Sequence, residues 1–501
     1  MPYCWSASLA PIVNDGMPWV KNIKVKPVKH FDTLISNSVK YIYNLSTQCV
    51  GAIAVPDFLA YAEYFIRKDY GEEWYNDPKA VRAVRQGFQN WIYGINDKAR
   101  GNQSLTYNEK IIVDGKSIAI GEFVESYLVS DEMDKAVLDN KYTFTLNRET
   151  GRLEANRIKG VIKHKTANKI VEYVLANGAK IKATDNHSFF TRTGLTIEEI
   201  QRNSNPTNLL IPFNFINEDS DYSYLSVKQT VGKNPAKDIK LTEDWMYFLG
   251  QYLGDGNWDG STIQIATCNF AVNEVLAELF PEFTYNIRSD FSIRFNMGRN
   301  ITDAIKNVFN TGSHNKVLPR DWANKKGILH LIGGYIDADG FAPTDGNKGF
   351  VLTSVNKELL ESVQYILAGY GIMSSIKEKY HNGFNNKLFT TYRLTISAAG
   401  SRKLNAYTKF KKVKDNIISN IDSSKLYVDF NGIIKDLDID INLYKDNLKV
   451  RSIQYDHCGI EDIKILVNLL NNAGETEKAK ELEKFLYALP IKIIAINDCE
   501  T

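Results

Sequence analysis

Apolar and polar positions along this chain change their period twice. In the first hundred residues apolar side chains recur at helical spacing from His30-Phe31-Asp32 through Tyr43. The same spacing returns over Ala52–Ala60, and again from Asp77-Pro78 through Trp91 and Tyr93, after a strand-like run at Ile23–Val28. From Ser104 short β-like runs take over: Lys110–Val113, Ser117–Ile120, Tyr142–Leu146, Val171–Leu175 and Lys180–Thr184. Asp114-Gly115 and Asn177-Gly178 punctuate them, and such dipeptides favour tight hairpin turns, so residues 104–215 read as an all-β module. From about Leu241 the pattern predicts a helix at 242–254, strands Thr262–Thr267 and Ser292–Phe295, and a helix near 301–309. A second pass follows, with a helix at 326–338, strands Gly349–Thr353 and Thr391–Ile396, and a helix at 356–370 between them. This helix–strand–helix order, met twice, is the internal repeat of the chain. Glu461–Leu489 reads as a helical stretch with charged i,i+4 pairs, and Ile491–Ile496 as a final strand.

At 501 residues the chain exceeds a single core, and two to four domains are expected. Sixty-one Lys and Arg against 59 Asp and Glu give a net charge of only +2. A surface for nucleic acid must therefore be a local patch. The five cysteines (Cys4, Cys49, Cys268, Cys458 and Cys499) form no zinc spacing and no disulfide framework, which points to a reducing cytoplasm. No apolar run approaches membrane-spanning length and no signal-peptide layout is present, so a soluble cytoplasmic protein without a membrane partner is expected.

The sharpest chemistry lies in two related segments, Phe248-Leu249-Gly250-Gln251-Tyr252-Leu253-Gly254-Asp255-Gly256 and Ile332-Gly333-Gly334-Tyr335-Ile336-Asp337-Ala338-Asp339-Gly340. Each is an apolar helix with small residues four apart, Gly250 and Gly254 in one, Gly334 and Ala338 in the other. That spacing puts the small residues on one face and lets two helices approach closely. Each then ends at a carboxylate followed by glycine, a natural stop. Packed side by side, the helices would bring Asp255 and Asp339 together. Paired carboxylates repel unless a cation lies between them, and oxygen ligands of this kind suit Mg²⁺, a common agent of phosphodiester cleavage.

The second segment resembles the LAGLIDADG signature of homing endonucleases and the first its diverged partner. The resemblance implies a pseudo-twofold αββαββα monomer whose sheets lie along double-stranded DNA, with Asp255 and Asp339 as catalytic metal ligands. Gln264, Arg294 and Arg393 would then be placed to read bases, because a β-ribbon fits the major groove. Lys316, in His314-Asn315-Lys316-Val317-Leu318-Pro319, matches a lysine of the intein-borne members and is expected to stabilise charge near the scissile phosphate. The run Arg402, Lys403, Lys409, Lys411, Lys412 and Lys414 is read either as a phosphate-holding surface or as a solvated helix face.

Ser104-Leu105-Thr106-Tyr107-Asn108-Glu109-Lys110-Ile111 looks like the first block of an intein. Asn177-Gly178-Ala179-Lys180-Ile181-Lys182-Ala183-Thr184-Asp185-Asn186-His187 resembles its TxxH block. The chemistry requires such a set. A hydroxyl must attack the carbonyl before it, turning the Gln103–Ser104 amide into an ester. An imidazole must protonate the departing nitrogen, and polar groups must steady the oxyanion. Ser104 is the expected nucleophile and His187 the acid, with Thr184 and Asn186 as support. The chain ends in Ile493-Ile494-Ala495-Ile496-Asn497-Asp498-Cys499-Glu500-Thr501, without the His-Asn pair that closes an intein. This predicts either a truncated product or the N-half of a trans-splicing pair, partnered by a C-terminal fragment, with cleavage at Gln103–Ser104 but no joining of exteins.

Residues 1–103, with Met1-Pro2-Tyr3-Cys4, Lys26-Pro27-Val28-Lys29-His30-Phe31, Gly51-Ala52-Ile53-Ala54-Val55-Pro56-Asp57 and Arg100-Gly101-Asn102-Gln103, resemble anaerobic (class III) ribonucleoside-triphosphate reductase. Cys4 matches a pocket cysteine there, though a small buried residue reads nearly as well. Reductase activity is not expected of this chain. The expected layout is a multidomain α+β protein. It has a mainly helical reductase fragment (1–103) and a Hint splicing region (104–235), followed by a LAGLIDADG endonuclease (236–420). A helical linker or accessory region (421–490) and the start of the C-terminal Hint strand (491–501) complete it. Three functions compete: DNA cleavage at the intein-free gene, a splicing element with a non-cutting DNA-binding domain, and an inactive remnant.

Overall fold

The computed structural model describes residues 5–17, 26–46, 53–96, 104–128, 130, 135–163, 169–185, 187, 189–192, 208–217, 221–229, 237–267, 270–344, 349–382, 388–413, 428–444 and 460–499. Cys4, Gln103, Asn186 and Lys414 lie outside the described residues. The chain forms two compact units, Met1–Gln103 and Ser104–Thr501.

In the first unit the helices Phe31–Ser46, Phe58–Tyr70 and Pro78–Asn96 bury Phe31, Leu34, Ile35, Phe58, Phe65, Ile66 and Val84. Phe58 stacks on Trp91 with ring centroids 3.9 Å apart. Two expectations fail here. The described part of the strand-like run, residues 26–28, is not a strand. The helix expected from Ala52 starts only at Phe58, because Pro56 disfavours helical geometry in the residue before it. Ile53–Ala54 pairs instead, in parallel, with Trp5–Ser6.

The second unit begins with hairpins. Lys110–Val113 pairs with Lys116–Ala119, Tyr142–Leu146 with Leu153–Arg157, and Lys135–Val137 with Gly160–Ile162, all antiparallel. The region is not all-β: Ile120–Glu125 is a helix, whose Phe123 is buried with Val113, Leu138 and Val161. Beside the hairpins lies a four-stranded antiparallel sheet ordered Lys180–Thr184, Ile170–Leu175, Ala488–Asp498, Asn208–Pro212. A strand from the end of the chain thus sits between two strands that precede it by about 300 residues. The stretch 461–489 is not one helix. Gly474, at φ +82°, separates Ile460–Asn472 from Thr476–Glu483, and the strand already begins at Ala488. These helices, with Phe430–Asp436, share one core with the sheet: Leu466, Leu470, Ile433 and Phe430 pack with Tyr173, Leu175 and Leu209. Arg192 fastens the arrangement by ion pairs to Asp429 and Asp436, each at 3.0 Å.

Residues 243–404 repeat one pattern. Helix Glu243–Asp255 leads to strands Gly256–Asp259 and Thr262–Ile265, helix Phe270–Leu279, strands Thr284–Ile287 and Ile293–Asn296, and helix Arg299–Phe309. Helix Ile328–Asp339 leads to strands Gly340–Phe341 and Val351–Ser354, helix Lys357–Gly369, strands Ser374–Asn382 and Leu388–Ile396, and helix Ala398–Leu404. Both sheets order their strands first, second, fourth, third. One apolar core joins the halves, and Phe248, Leu249, Ile332 and Ile336 are fully buried in it. Backbone hydrogen bonds tie this region to the β module: Ile376 N donates to Asn177 O at 2.9 Å, and Asn214 N to Ala368 O at 2.8 Å.

Candidate functional site

The two acidic helices cross at their glycines. A Cβ at Gly250 would lie 2.0 Å from Leu331 O, and one at Gly334 2.1 Å from Tyr247 O, so no other residue fits either position. Backbones at that range tolerate no added methyl. Between the helices Gln251, fully buried, donates from Nε2 to Gly334 O (3.0 Å) and to Tyr247 Oη (3.2 Å), and Tyr247 Oη donates to Asp337 Oδ2 (2.8 Å).

This crossing delivers Asp255 and Asp339 to a common edge. A Cβ on Gly254 would stand 3.4 Å from the Asp339 carboxyl carbon, so Asp339 lies beside the residue preceding Asp255. Burial and then the Asp339 charge push the Asp255 carboxyl up to about 6, against the pull of Lys411 and Lys316. Solvent reaches the Asp339 side chain, yet the protein packed around it raises its carboxyl, while Lys316 and Lys411 oppose the rise.

Lys316, 4% exposed, reaches the carboxyl end of the first acidic helix. Its Nζ donates to Tyr252 O (2.8 Å), Leu253 O (3.1 Å) and Gly254 O (3.0 Å). A cation there meets the last carbonyls of the helix, of which Tyr252 O also accepts from Gly256 N, and the negative end of the helix dipole. Burial lowers its amine to about 8, although Asp339 and Asp255 favour the charged form. Lys411 is the counterpart that sequence reasoning missed, having been grouped with a phosphate-holding run. Its Nζ donates to Ala338 O (2.8 Å) at the end of the second helix. Buried Asp337 fixes it there by accepting backbone N–H bonds from Lys409 (2.6 Å), Phe410 (3.2 Å) and Lys411 (2.7 Å). The available signal was the internal repeat, since each lysine follows its acid after two strands, a helix, two strands and a helix. Lys412 is likewise engaged, with Asn405 O and Thr408 O.

Among the described residues no three or more His, Cys, Asp or Glu are grouped so that they could hold a metal ion. The edge therefore offers two carboxylates, and hard oxygen donors in that number fit Mg²⁺, which keeps several waters and takes substrate phosphates as further ligands.

Gln264 and Arg294 are cross-strand partners on the face opposite buried Ile263, Ile265, Ile293 and Phe295. Arg294 pairs with Asp259 at 2.7 Å and Gln264 donates to Ser292 Oγ at 2.9 Å. Arg393 lies on the other sheet, half-buried, opposite Thr353 and Lys377.

A second centre forms at the start of the β module. Ser104 N donates to Thr184 Oγ1 at 3.1 Å, and Thr184 N to Ser104 O at 2.9 Å. Thr184 is fully buried, and its hydroxyl touches the nitrogen of the bond expected to break. His187 N donates to Thr184 O (2.9 Å), its ring meets Phe189 edge-on, and its buried Nδ1 has no hydrogen-bond partner among the described residues. Burial holds this imidazole below its usual value.

Residues 1–220 match the family model for anaerobic ribonucleoside-triphosphate reductase, and residues 327–408 that for a LAGLIDADG-like domain. The first match runs past Gln103 into the β module. The chain is 27% identical over 324 residues to the DNA-directed RNA polymerase subunit Rpo1C of Methanocaldococcus jannaschii, covering 56% of this chain and 37% of that protein. It is 24% identical over 407 residues to the replication factor C small subunit of the same organism, covering 76% and 20%. The chain thus spans between a fifth and two fifths of the length of these curated relatives. Among solved structures, the anaerobic ribonucleotide reductase from Thermotoga maritima with citrate in the active site is 36% identical, with 20% of this chain and 18% of that chain covered and a TM-score of 0.19. The homing endonuclease I-WcaI bound to its DNA recognition sequence is 18% identical, with 36% and 89% covered and a TM-score of 0.26. A mutant of the Ssp DnaB mini-intein variant M86 is 20% identical, with 24% and 67% covered and a TM-score of 0.17. No helix among the described residues is long and apolar enough to cross a membrane.

Proposed function

We propose that this chain, which carries an anaerobic ribonucleoside-triphosphate reductase segment and a LAGLIDADG-like domain, is a reductase precursor interrupted by an intein whose endonuclease cuts the intein-free reductase gene. The observation that carries the reading is the paired edge: two carboxylates from crossing helices, each helix end met by a lysine amine. The relatives add support. An RNA polymerase subunit and a replication factor subunit share no activity, and a segment common to such different hosts is what an inserted element would give. The sheet topology fits as well, because a strand from the chain's end lies beside strands that precede the 243–404 region.

In cleavage, Asp255 and Asp339 would hold divalent cations and orient the attacking water. The bound metal supplies charge neutralisation at the phosphate. Lys316 and Lys411 carry fixed positive charge to the same edge, where negative charge grows in the transition state. Gln264, Arg294 and Arg393 present hydrogen-bonding groups on the sheet faces towards base edges. The test is a nicking assay on the uninterrupted reductase gene with Mg²⁺. The wild-type chain should cut at one site and Asp339→Asn should not; equal cutting by both refutes the reading.

The Ser104 centre is proposed to carry the acyl shift. Ser104 Oγ attacks the Gln103 carbonyl, forming the C–O bond, and the C–N bond breaks. His187, neutral because it is buried, accepts the hydroxyl proton and returns one to the nitrogen, which Thr184 Oγ1 holds in place. Hydroxylamine should release residues 1–103 from the wild type and leave Ser104→Ala intact.

A further inference from the structure

We propose that the two sheets of the 243–404 region divide recognition of the duplex. The first sheet discriminates bases, adenine above all, through asparagine amides; the second grips phosphates through Lys377 and Lys379. This rests on the nuclease reading above. Strand Gly256–Asp259 starts at the residue after Asp255, and strand Gly340–Phe341 at the residue after Asp339, so each sheet begins at the acid edge.

In the first sheet Ile263, Ile265, Ile293 and Phe295 turn into the core, so the residues alternating with them turn out. Directly opposed residues share a face, and one outward row runs Asn257, Gln264, Arg294, Asn286 across all four strands. Asn296 belongs to the neighbouring row, opposite Thr262 and Thr284. Asn257, Asn286 and Asn296 are exposed, and their amides have no hydrogen-bond partner among the described residues. An amide carries both a donor and an acceptor, the pair that meets N7 and N6 of adenine in the major groove. Positive charge is scarce on this side. Arg294 is held by Asp259 at 2.7 Å. Residues 256–296 carry two Arg (288, 294) against five Asp or Glu (259, 274, 278, 282, 290), a net −3.

The second sheet differs. Leu352, Leu394 and Ile376 turn inward, and the outward row runs Thr353, Arg393, Lys377, with Lys379 opposite Thr391 beside it. Lys377 and Lys379 are exposed and have no ion-pair or hydrogen-bond partner among the described residues. Glu378, between them, alternates to the other face and pairs with Lys180 at 3.6 Å. The matching span, residues 340–396, carries six Lys or Arg (348, 357, 377, 379, 387, 393) against four Asp or Glu (345, 358, 361, 378), a net +2. Shape follows charge. Strands Ser374–Asn382 and Leu388–Ile396 have nine residues each, against four in Thr284–Ile287 and Ile293–Asn296. Lys379 lies past the last pairing with Val351–Ser354, on a two-stranded ribbon, a form the major groove admits. An ammonium on a flexible stem is a point charge suited to phosphate. Phosphate contacts position a protein and base-edge contacts specify sequence, so amides on one sheet and unpaired lysines on the other separate the two tasks.

The test uses the full chain and a duplex copied from the uninterrupted reductase gene, centred on codon 103, with a panel in which each base pair is changed in turn. Asn257→Ala/Asn286→Ala should lose roughly tenfold discrimination at A·T pairs confined to one half of the site, with the salt slope of binding unchanged. Lys377→Ala/Lys379→Ala should bind every panel member roughly tenfold more weakly and keep the wild-type ranking. Its salt slope should fall by about 2. All four side chains are exposed, so thermal melts of both variants should match the wild type. The proposal is overturned if the amide variant keeps full discrimination at every A·T pair or loses it at G·C pairs instead. A lysine variant that changes the ranking while its salt slope stays overturns it too. A wild type that neither binds nor cuts the duplex defeats the nuclease reading itself.

Discussion

In the first half of the 243–404 region, Lys316 reaches the helix end from inside the core, 4% exposed, with its backbone O accepting from Asn356 Nδ2 at 2.6 Å. After the second half, Lys411 reaches the matching end from a half-buried segment that follows helix Ala398–Leu404 and is strapped down by Asp337. The first motif has Leu253 where the second has Asp337, so only the second half owns a buried carboxylate for this purpose. The halves repeat the placement of an amine on a helix end without repeating the way it is held. What the duplicated fold preserves is the charge at the edge, while its support diverges.

Removing the amines tests that statement most severely. Lys316→Met and Lys411→Met should each slow single-turnover DNA cleavage by roughly a hundred- to a thousand-fold, the usual loss for one fixed charge-stabilising donor. If one lysine proves dispensable, the halves are not functionally equivalent.

The strap is the next largest effect. Asp337→Asn leaves three backbone donors with a weaker acceptor and should lower stability by about 2–3 kcal/mol in a denaturant titration. Its effect on cleavage should be strongly non-additive with Lys411→Met and additive with Lys316→Met, since only Lys411 depends on it.

The smallest effect is the pH dependence of the acids. Asp255, raised from 3.8 to about 6, stays protonated in the fold over a window where the unfolded chain has lost its proton. Without divalent cations, stability should be full below about pH 4 and fall as pH rises through 6, by about 1–2 kcal/mol after allowance for partial solvent access. Asp255→Asn should flatten that slope. Thermal melts at pH 4 and 7 in a chelating buffer check it.

How far the sequence foretold this depends on range. The acids, the glycine spacing and the doubled helix–strand order were legible, because each is a local pattern whose periodicity is set by the helix itself. That the Ser104 and Thr184–His187 segments lie together was legible from their two motifs, while their chemistry belongs to the proposal. Lys411 was not, because its role needs Asp337, 74 residues away in the chain, to hold its segment. Strands Gly256–Asp259, Thr284–Ile287 and Gly340–Phe341 are too short to show alternation. The insertion of Ala488–Asp498 between Ile170–Leu175 and Asn208–Pro212 is a long-range pairing that no local pattern announces. The 461–489 stretch misled because apolar residues at helical spacing, Ile463, Leu466 and Leu470 before Gly474 and Ala479 and Leu482 after it, run on either side of the glycine, whose positive φ breaks the helix.

The account rests on a metal-bearing edge made by Asp255 and Asp339. Diffraction from crystals of the chain with uncut target duplex and Mn²⁺, recorded at the manganese edge, addresses it directly. The expected result is anomalous density about 2.0–2.2 Å from carboxylate oxygens of both residues, with a DNA phosphate completing the sphere. Manganese bound elsewhere, or a duplex lying away from the two acids, would contradict the account.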